Sequence, residues 1–390
     1  MRIVLFTGKG GVGKSTIAAG TAVLAARSGT RVLVLSTDTA HSLADAFGVQ
    51  LHDGEPTYVE PNLYVQQVDA QQRFEQSWAE IQRYLLSVLD ASGVDPITAE
   101  ELTVVPGAEE VLALLEVRTQ VLSQRWDAVI VDCAPTAETL RLLALPEALQ
   151  WYMDRVFPIE RRVVRTLRPV LTKATGVPMP TETVFDALDR LHKEMAQVRT
   201  MLSGPEASVR IVFTPETVVL AEARRTLTAL SLFGYRVDGV VANRIFPDTG
   251  ADPWRENWAR AQHAVLEEAQ ESFGVLRLWR STYLPTEPVG TQALADLAAQ
   301  VYGAEAPLDA GMIQGELRFD SVAEGTLMAL ALPNITKSEV DLVRHGDELV
   351  ITVGPYRRVL ALPTAVSKAQ ITGARVHEGE LQVRFGGTDV

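Results

Sequence analysis

A chain of 390 residues has room for one large domain and a smaller one. Its formal net charge of -13 argues against a nucleic-acid-coating surface, which needs a basic stripe. With a single cysteine, Cys133, neither an intrachain disulfide nor a thiolate zinc cluster can form within one chain.

The first residues already read as a strand and no apolar run approaches the length of a membrane span, so a cytoplasmic or equivalent reducing compartment is expected. The apolar run Ile3-Val4-Leu5-Phe6 leads into "FTGKGGVGKST", which fits G-x-x-x-x-G-K-[ST] with Gly8, Gly13, Lys14 and Ser15 at the fixed positions. A helical pattern closed by Gly29 follows. Strand, glycine loop and helix together form a phosphate cradle. Backbone N–H groups turn inward, the helix N-terminus adds positive potential, Lys14 reaches the β/γ-phosphates and Ser15 can ligate Mg²⁺.

Further apolar runs suited to buried parallel strands fall at Val32–Leu35, Ala128–Val131, Val209–Phe213, Val240–Ala242 and Val275–Leu278, with helical patterns between them. Such alternation predicts an α/β fold with a doubly wound, mostly parallel sheet and ligands at the strand C-terminal ends. The second strand ends in "STDTAHSLADAFG", which places Asp38 where it could face a γ-phosphate, although on its own the residue reads first as an Asx turn or N-cap. The third motif, "VIVDCAPTAETLRLLALP", delivers Asp132 as a Walker-B carboxylate that can hold Mg²⁺ through water. Cys133 reads as a small buried residue, since no base stands near it in sequence.

Between Leu145 and Ser208 the pattern turns helical. In "VFDALDRLHKEMAQVRTML", Leu188, Leu191, Met195, Val198 and Leu202 recur at steps of three and four, which fits a helix packed on the domain's own core or a coiled-coil-like hairpin. "AEAPLDAGMIQGE" reads as a linker over 306–317. Beyond it, period-two alternation in Leu349, Ile351 and Val353, and in Leu381, Val383 and Phe385, predicts a small all-β sandwich over 318–390, after a P-loop domain over 1–305.

In this order, "KGGVGKST", "STDTAHSLADAFG" and "DCAPTAETLRLLALP" resemble the deviant P-loop, switch I and switch II of the ArsA family of ATPases, which includes the arsenite-pump ATPase and the ATPase that targets tail-anchored membrane proteins. "VVANRIFP", with Asn243 at the family's adenine-recognition position, and "LPTEPVG", with Pro285, extend the likeness over about the first three hundred residues. The resemblance implies a nucleotide set of Gly8, Lys9, Gly10, Gly11, Val12, Gly13, Lys14, Ser15, Thr16, Asn243 and Pro285, with Asp38, Lys9 and Lys14 catalytic, Ser15 and Asp132 on Mg²⁺, and ATP as the nucleotide. It also implies a nucleotide-sandwich homodimer in which Lys9 reaches the partner's phosphates like an arginine finger, worth ~10³ to 10⁵ in rate in such cases.

Family members build a hydrophobic groove from the helical insertion, placed here at about 145–207. The implied task is therefore binding and release of a hydrophobic client, with at most transient membrane contact. Arsenite extrusion and MinD- or ParA-like positioning are the alternatives. The C-x-x-C zinc pair, the metalloid cysteines and the second P-loop of some relatives are missing, and switch II carries Ala137-Glu138 where many have Gly-His. "LALPNITKSEVDL", "GDELVITVGPYRRVLALP" and "ARVHEGELQVRF" resemble the α-crystallin domain of small heat-shock proteins.

Overall fold

The computed structural model describes residues 1–37, 42–52, 54–68, 82–84, 86–87, 89–90, 108–134, 136, 182–247, 252–311, 317–323 and 325–386. Its first part runs β1 (Arg2–Thr7), α1 (Lys14–Arg27), β2 (Val32–Ser36), α2 (Ser42–Phe47), β3 (Thr57–Glu60), β4 (Leu63–Gln67), α3 (Ala108–Leu122), β5 (Ala128–Asp132), α4 (Glu182–Ser203), β6 (Ala207–Phe213), α5 (Thr217–Leu232), β7 (Val237–Ile245), α6 (Pro253–Phe273), β8 (Arg277–Thr282) and α7 (Thr291–Tyr302). The sheet has the order β3-β4-β2-β5-β1-β6-β7-β8. Every pairing in it is parallel except β3 with β4.

Strands β1, β2, β5 and β6 are buried on both faces, which is why they read in sequence as continuous Val, Ile and Leu runs. The edge hairpin of β3 and β4 lacks that signature: its strands are short and partly polar, and Asn62 turns it with φ 64°. The eighth strand starts at Arg277 rather than Val275, because Gly274 ends α6 at positive φ and leaves Val275 exposed in the turn.

Helix α4 settles how its apolar stripe is used. Met195, Val198 and Leu202 lie in the core beneath the sheet, with Leu191 and Met201 half-buried against it. This segment of the expected client groove therefore packs on the domain's own core, as its periodicity allows. Residues 145–181, the rest of the insertion, lie outside the described residues.

A buried ion pair organises the far side of the sheet. Arg210 on β6 and Asp238 on β7 are both fully buried and bonded through two contacts, Nε to Oδ1 at 3.1 Å and Nη2 to Oδ2 at 2.8 Å. Asp238 also accepts from Arg2 (2.9 Å) and Ser208 (2.8 Å), and Arg210 stacks over Trp279 at 4.4 Å. Burial opposes the Arg210 charge, but Asp238 and the Tyr302 hydroxyl outweigh it and raise the pKa above the ordinary arginine value. Arg210 further donates to the Pro307 carbonyl at 2.8 Å, and Arg2 to that of Leu308 at 3.1 Å. The stretch after α7 is thus fastened to the ATPase domain over residues expected to form a spacer.

The second part comprises β9 (Leu317–Val322), β10 (Gly325–Ala331), β11 (Val340–His345), β12 (Glu348–Val353), β13 (Tyr356–Ala361), α8 (Thr364–Ser367), β14 (Ile371–His377) and β15 (Glu380–Gly386). Two antiparallel sheets, β14-β15-β10-β9 and β11-β12-β13, enclose a separate core containing Leu349, Ile351, Leu381, Val383 and Phe385. Leu232, the last residue of α5, belongs to that core. Its carbonyl, one of the acceptors a helix end leaves open, takes a bond from Arg358 Nη1 at 2.6 Å, and Thr228 Oγ1 donates to the Pro333 carbonyl at 2.7 Å. The sandwich is therefore docked on α5.

Two outcomes follow from this packing. Asp238→Ala leaves Arg210 buried without its carboxylate and should lower stability by about 3–5 kcal/mol in urea unfolding. Leu232→Asp should detach the sandwich from α5, seen as a separate low-temperature transition in calorimetry while the ATPase domain melts as before.

Candidate nucleotide site

The loop from Gly8 to Gly13 joins β1 to α1 and can only be built with glycine at its two ends. A Cβ on Gly8 would stand 2.1 Å from the Val212 carbonyl oxygen, because the loop leaves β1 pressed against β6. Gly13 sits at φ 93°, and a Cβ there would meet Asn243 Nδ2 at 2.4 Å. The first helical bond of the turn runs from Ile17 N–H to the Gly13 carbonyl at 3.0 Å, so α1 points its N-terminus into the loop.

Lys14 is buried and its Nζ donates to the Lys9 carbonyl at 3.3 Å, which closes the loop over the ammonium. Gly10 and Gly11 are exposed, Lys9 and Gly13 half-buried and Val12 buried, so the loop is presented at the surface on a packed base.

Oxygen ligands gather on the other side of the α1 N-terminus. Ser15 Oγ lies 2.9 Å from Ser42 Oγ at the start of α2. Asp132 ends β5 fully buried, in register with Phe6 of β1 and Ser36 of β2. Hydroxyl and carboxylate oxygens are hard donors, a set suited to Mg²⁺. Asp38 lies outside the described residues, as do residue 135 and residues 137–181 of the switch II loop and insertion. The chain enters Asp38 from Thr37, whose N–H donates to the Asp132 carbonyl at 2.9 Å and whose hydroxyl accepts from Ala134 N–H at 3.4 Å. The two switch segments consequently leave the sheet tied to each other.

Cys133 is buried directly after Asp132. Burial first, then the Asp132 carboxylate, push its thiol above the ordinary range, with Lys14 only partly opposing them. Such a thiol carries almost no thiolate at neutral pH and is neither nucleophile nor soft-metal ligand.

Beyond the loop, a cavity of about 370 Å³ is lined by Thr16, Asn243, Arg244, Tyr283, Leu284 and Pro285, among others. Its size lies in the range of small-molecule sites. Asn243 Nδ2 donates to the Val12 carbonyl and its Oδ1 accepts from Arg244 N–H, both at 2.9 Å. One amide N–H and one lone pair of Asn243 are left over by these two bonds. The loop carrying Pro285 is linked to the first switch, since Gly290 N–H donates to the Ala46 carbonyl of α2 at 2.9 Å.

Of the residues that sequence reading grouped, Gly8 to Thr16, Asn243 and Pro285, the fold sets Thr16, Asn243 and Pro285 around this cavity and bonds Asn243 to the loop at Val12. Sequence reading did not single out Ser42, Tyr283 or Arg244. Nothing in an arginine's identity announces a left-handed backbone, and the pairing of Ser42 with Ser15 depends on how α2 returns to α1.

Comparison with known proteins agrees with this geometry. Residues 1–303 match the family described as Anion-transporting ATPase, and residues 323–385 match the HSP20-like domain found in ArsA. The chain belongs to the ArsA family of ATPases. It is 39% identical to an uncharacterised protein of Streptomyces coelicolor over 99% of this chain and 97% of that one. It is also 32% identical to arsenical pump-driving ATPase 1 of Aquifex aeolicus, covering 98% and 99% of the two chains, and 35% identical to an arsenical pump-driving ATPase of Chlorobaculum tepidum, covering 99% and 96%. Like its relatives, this ArsA-type chain is a P-loop enzyme that hydrolyses ATP. Its sandwich is the HSP20-like domain, and none of the helices among the described residues is long and apolar enough to cross a membrane.

Two further expectations are specific. Gly13→Ala should abolish ATP binding in calorimetric titration, because its Cβ collides with the Asn243 amide in a left-handed turn. Cys133 should resist iodoacetamide for hours in the native enzyme at pH 7 and react at once in guanidinium; rapid native labelling would contradict its burial.

Proposed function

We propose that the chain acts as a Mg²⁺-dependent nucleotide-sandwich homodimer that couples ATP hydrolysis to binding and release of a hydrophobic client. The observation that carries this reading is the second lysine of the loop. Lys14 is committed inward, with its ammonium on the Lys9 carbonyl. Lys9 stands half-buried beside the exposed Gly10 and Gly11, and on this reading its side chain serves phosphates held by another subunit.

In this scheme Lys14 reaches the β/γ-phosphates, the loop N–H groups hold the α/β-phosphates, and Ser15 and Asp132 hold Mg²⁺, which neutralises phosphate charge when bound. Asn243 offers its remaining N–H and lone pair to adenine, and Pro285 walls the base pocket. Asp38 orients or deprotonates the attacking water. The bonds of Thr37 to the Asp132 segment and of Gly290 to Ala46 give both switches and the base loop a shared frame, through which nucleotide state can bias dimer closure. The client is assigned to the helical insertion at about 145–207, of which the α4 stripe packs on the domain's own core.

A second reading is favoured by the names of the relatives, which describe arsenical pump-driving ATPases. On that reading the chain drives metalloid extrusion. The single thiol, buried at Cys133, offers no trivalent metalloid a soft site within the described residues.

Four measurements test these readings. Asp38→Asn should abolish turnover and leave ATP binding nearly intact. Mixing Lys9→Ala with Asp38→Asn subunits should restore part of the lost activity, whereas full activity of Lys9→Ala alone would defeat the shared-site dimer. Arsenite or antimonite should leave the hydrolysis rate unchanged, and a clear stimulation would favour the extrusion reading. For the client, a photoreactive apolar helix should crosslink within 145–207 with ATP and not with ADP.

A further inference from the structure

Arg244 has a conformation that calls for an explanation. It ends the regular run of β7 at φ 60°, in the left-handed region that a bulky L-residue seldom adopts, and such strain persists only where surrounding bonds over-determine it. Here they do. Its N–H donates to Asn243 Oδ1 at 2.9 Å, and its carbonyl accepts from Gln262 Nε2 at 3.2 Å. The same Gln262 amide accepts from Phe246 N–H at 2.8 Å, so one buried side chain pins the backbone on both sides of the turn.

The outcome of this arrangement is the position of the guanidinium. Arg244 Nη1 donates to the Gly11 carbonyl at 2.9 Å, next to the bond from Asn243 Nδ2 to the Val12 carbonyl. Two consecutive side chains at the end of β7 thus hold two consecutive carbonyls of the P-loop. In a trans peptide the carbonyl and the following N–H point to opposite sides, and the chain has no cis bonds among the described residues. Holding the Gly11 and Val12 carbonyls toward β7 turns the N–H groups of Val12 and Gly13 away from it, as the loop needs in order to present donors to a phosphate.

We propose that Arg244 is a positioning residue of the phosphate cradle: its strained backbone aims the guanidinium at the Gly11 carbonyl and so pre-orients the loop N–H groups, linking the base pocket that Arg244 also lines to the phosphate site. The glycine-loop N–H groups cradle the α- and β-phosphates, which ATP and ADP share, so loosening the loop weakens both nucleotides. Loss of Arg244 therefore acts on nucleotide affinity and not on the chemical step.

The test uses the full-length enzyme and three variants. Arg244→Asn removes the guanidinium while tolerating the left-handed backbone, Arg244→Gly removes the side chain and the strain together, and Arg244→Lys keeps a cationic donor. Arg244→Asn and Arg244→Gly should weaken both ATP and ADP by about tenfold and raise KM to match, the scale of one charge-assisted bond, with kcat within about twofold of wild type. Arg244→Lys should recover most of the affinity.

Unchanged ATP and ADP affinities in Arg244→Asn, with its melting temperature unaltered, would overturn the proposal. So would a loss confined to ATP or a fall in kcat at constant KM, either of which places the guanidinium on the transferring phosphoryl group. The inference rests on nucleotide occupying the P-loop, and wild-type enzyme that bound no ATP would refute that reading instead.

Discussion

The buried pair of Arg210 and Asp238 is the interaction around which the second half of the ATPase domain is assembled. Two unit charges without solvent are tolerable only where geometry and extra donors satisfy both groups. Here they bring β1, β6, β7, α7 and the stretch at Pro307 and Leu308 to one point, through Arg2, Ser208 and Tyr302. β6 carries Val212, against which Gly8 is pressed, and β7 carries Asn243 and Arg244. The alignment of these strands at the buried end fixes the spacing of the nucleotide loop at the other.

The same fastening changes how the two domains relate. A chain leaving α7 as a loose tether would let the HSP20-like sandwich diffuse. Instead its start is held by Arg210 and Arg2, and its body is seated on α5 through Leu232, Thr228 and Arg358. Helix α5 follows β6, whose Val212 carbonyl touches Gly8.

At the nucleotide end, three otherwise separate segments meet. The P-loop is held from β7, the first switch is held by the sheet end at Asp132 and by the base loop at Gly290, and α2 brings Ser42 onto Ser15. None of these contacts joins neighbours in sequence. They join strand ends, loops and the first turns of helices, the segments that a parallel sheet gathers along its carboxyl edge.

The residue order alone determined the parallel sheet, through the buried runs at Ile3–Phe6, Val32–Leu35, Ala128–Val131 and Val209–Phe213, because a strand covered on both faces has to be apolar throughout. It determined the P-loop as well, since glycine spacing before a helix is a local requirement, and the alternation that made the last seventy residues a sandwich. It did not show the edge hairpin of β3 and β4, whose short strands, one half-exposed and the other buried but ending in two glutamines, lack a distinctive apolar run. Periodicity in α4 specified an apolar face but not its cover; tertiary packing assigned Met195, Val198 and Leu202 to the domain's own core. A stretch that read as linker became an anchor because a buried arginine from a distant strand needed its carbonyl. Arg244, beside an asparagine that the motif did announce, acquired its place from backbone strain held by Gln262, a long-range condition that no local pattern encodes.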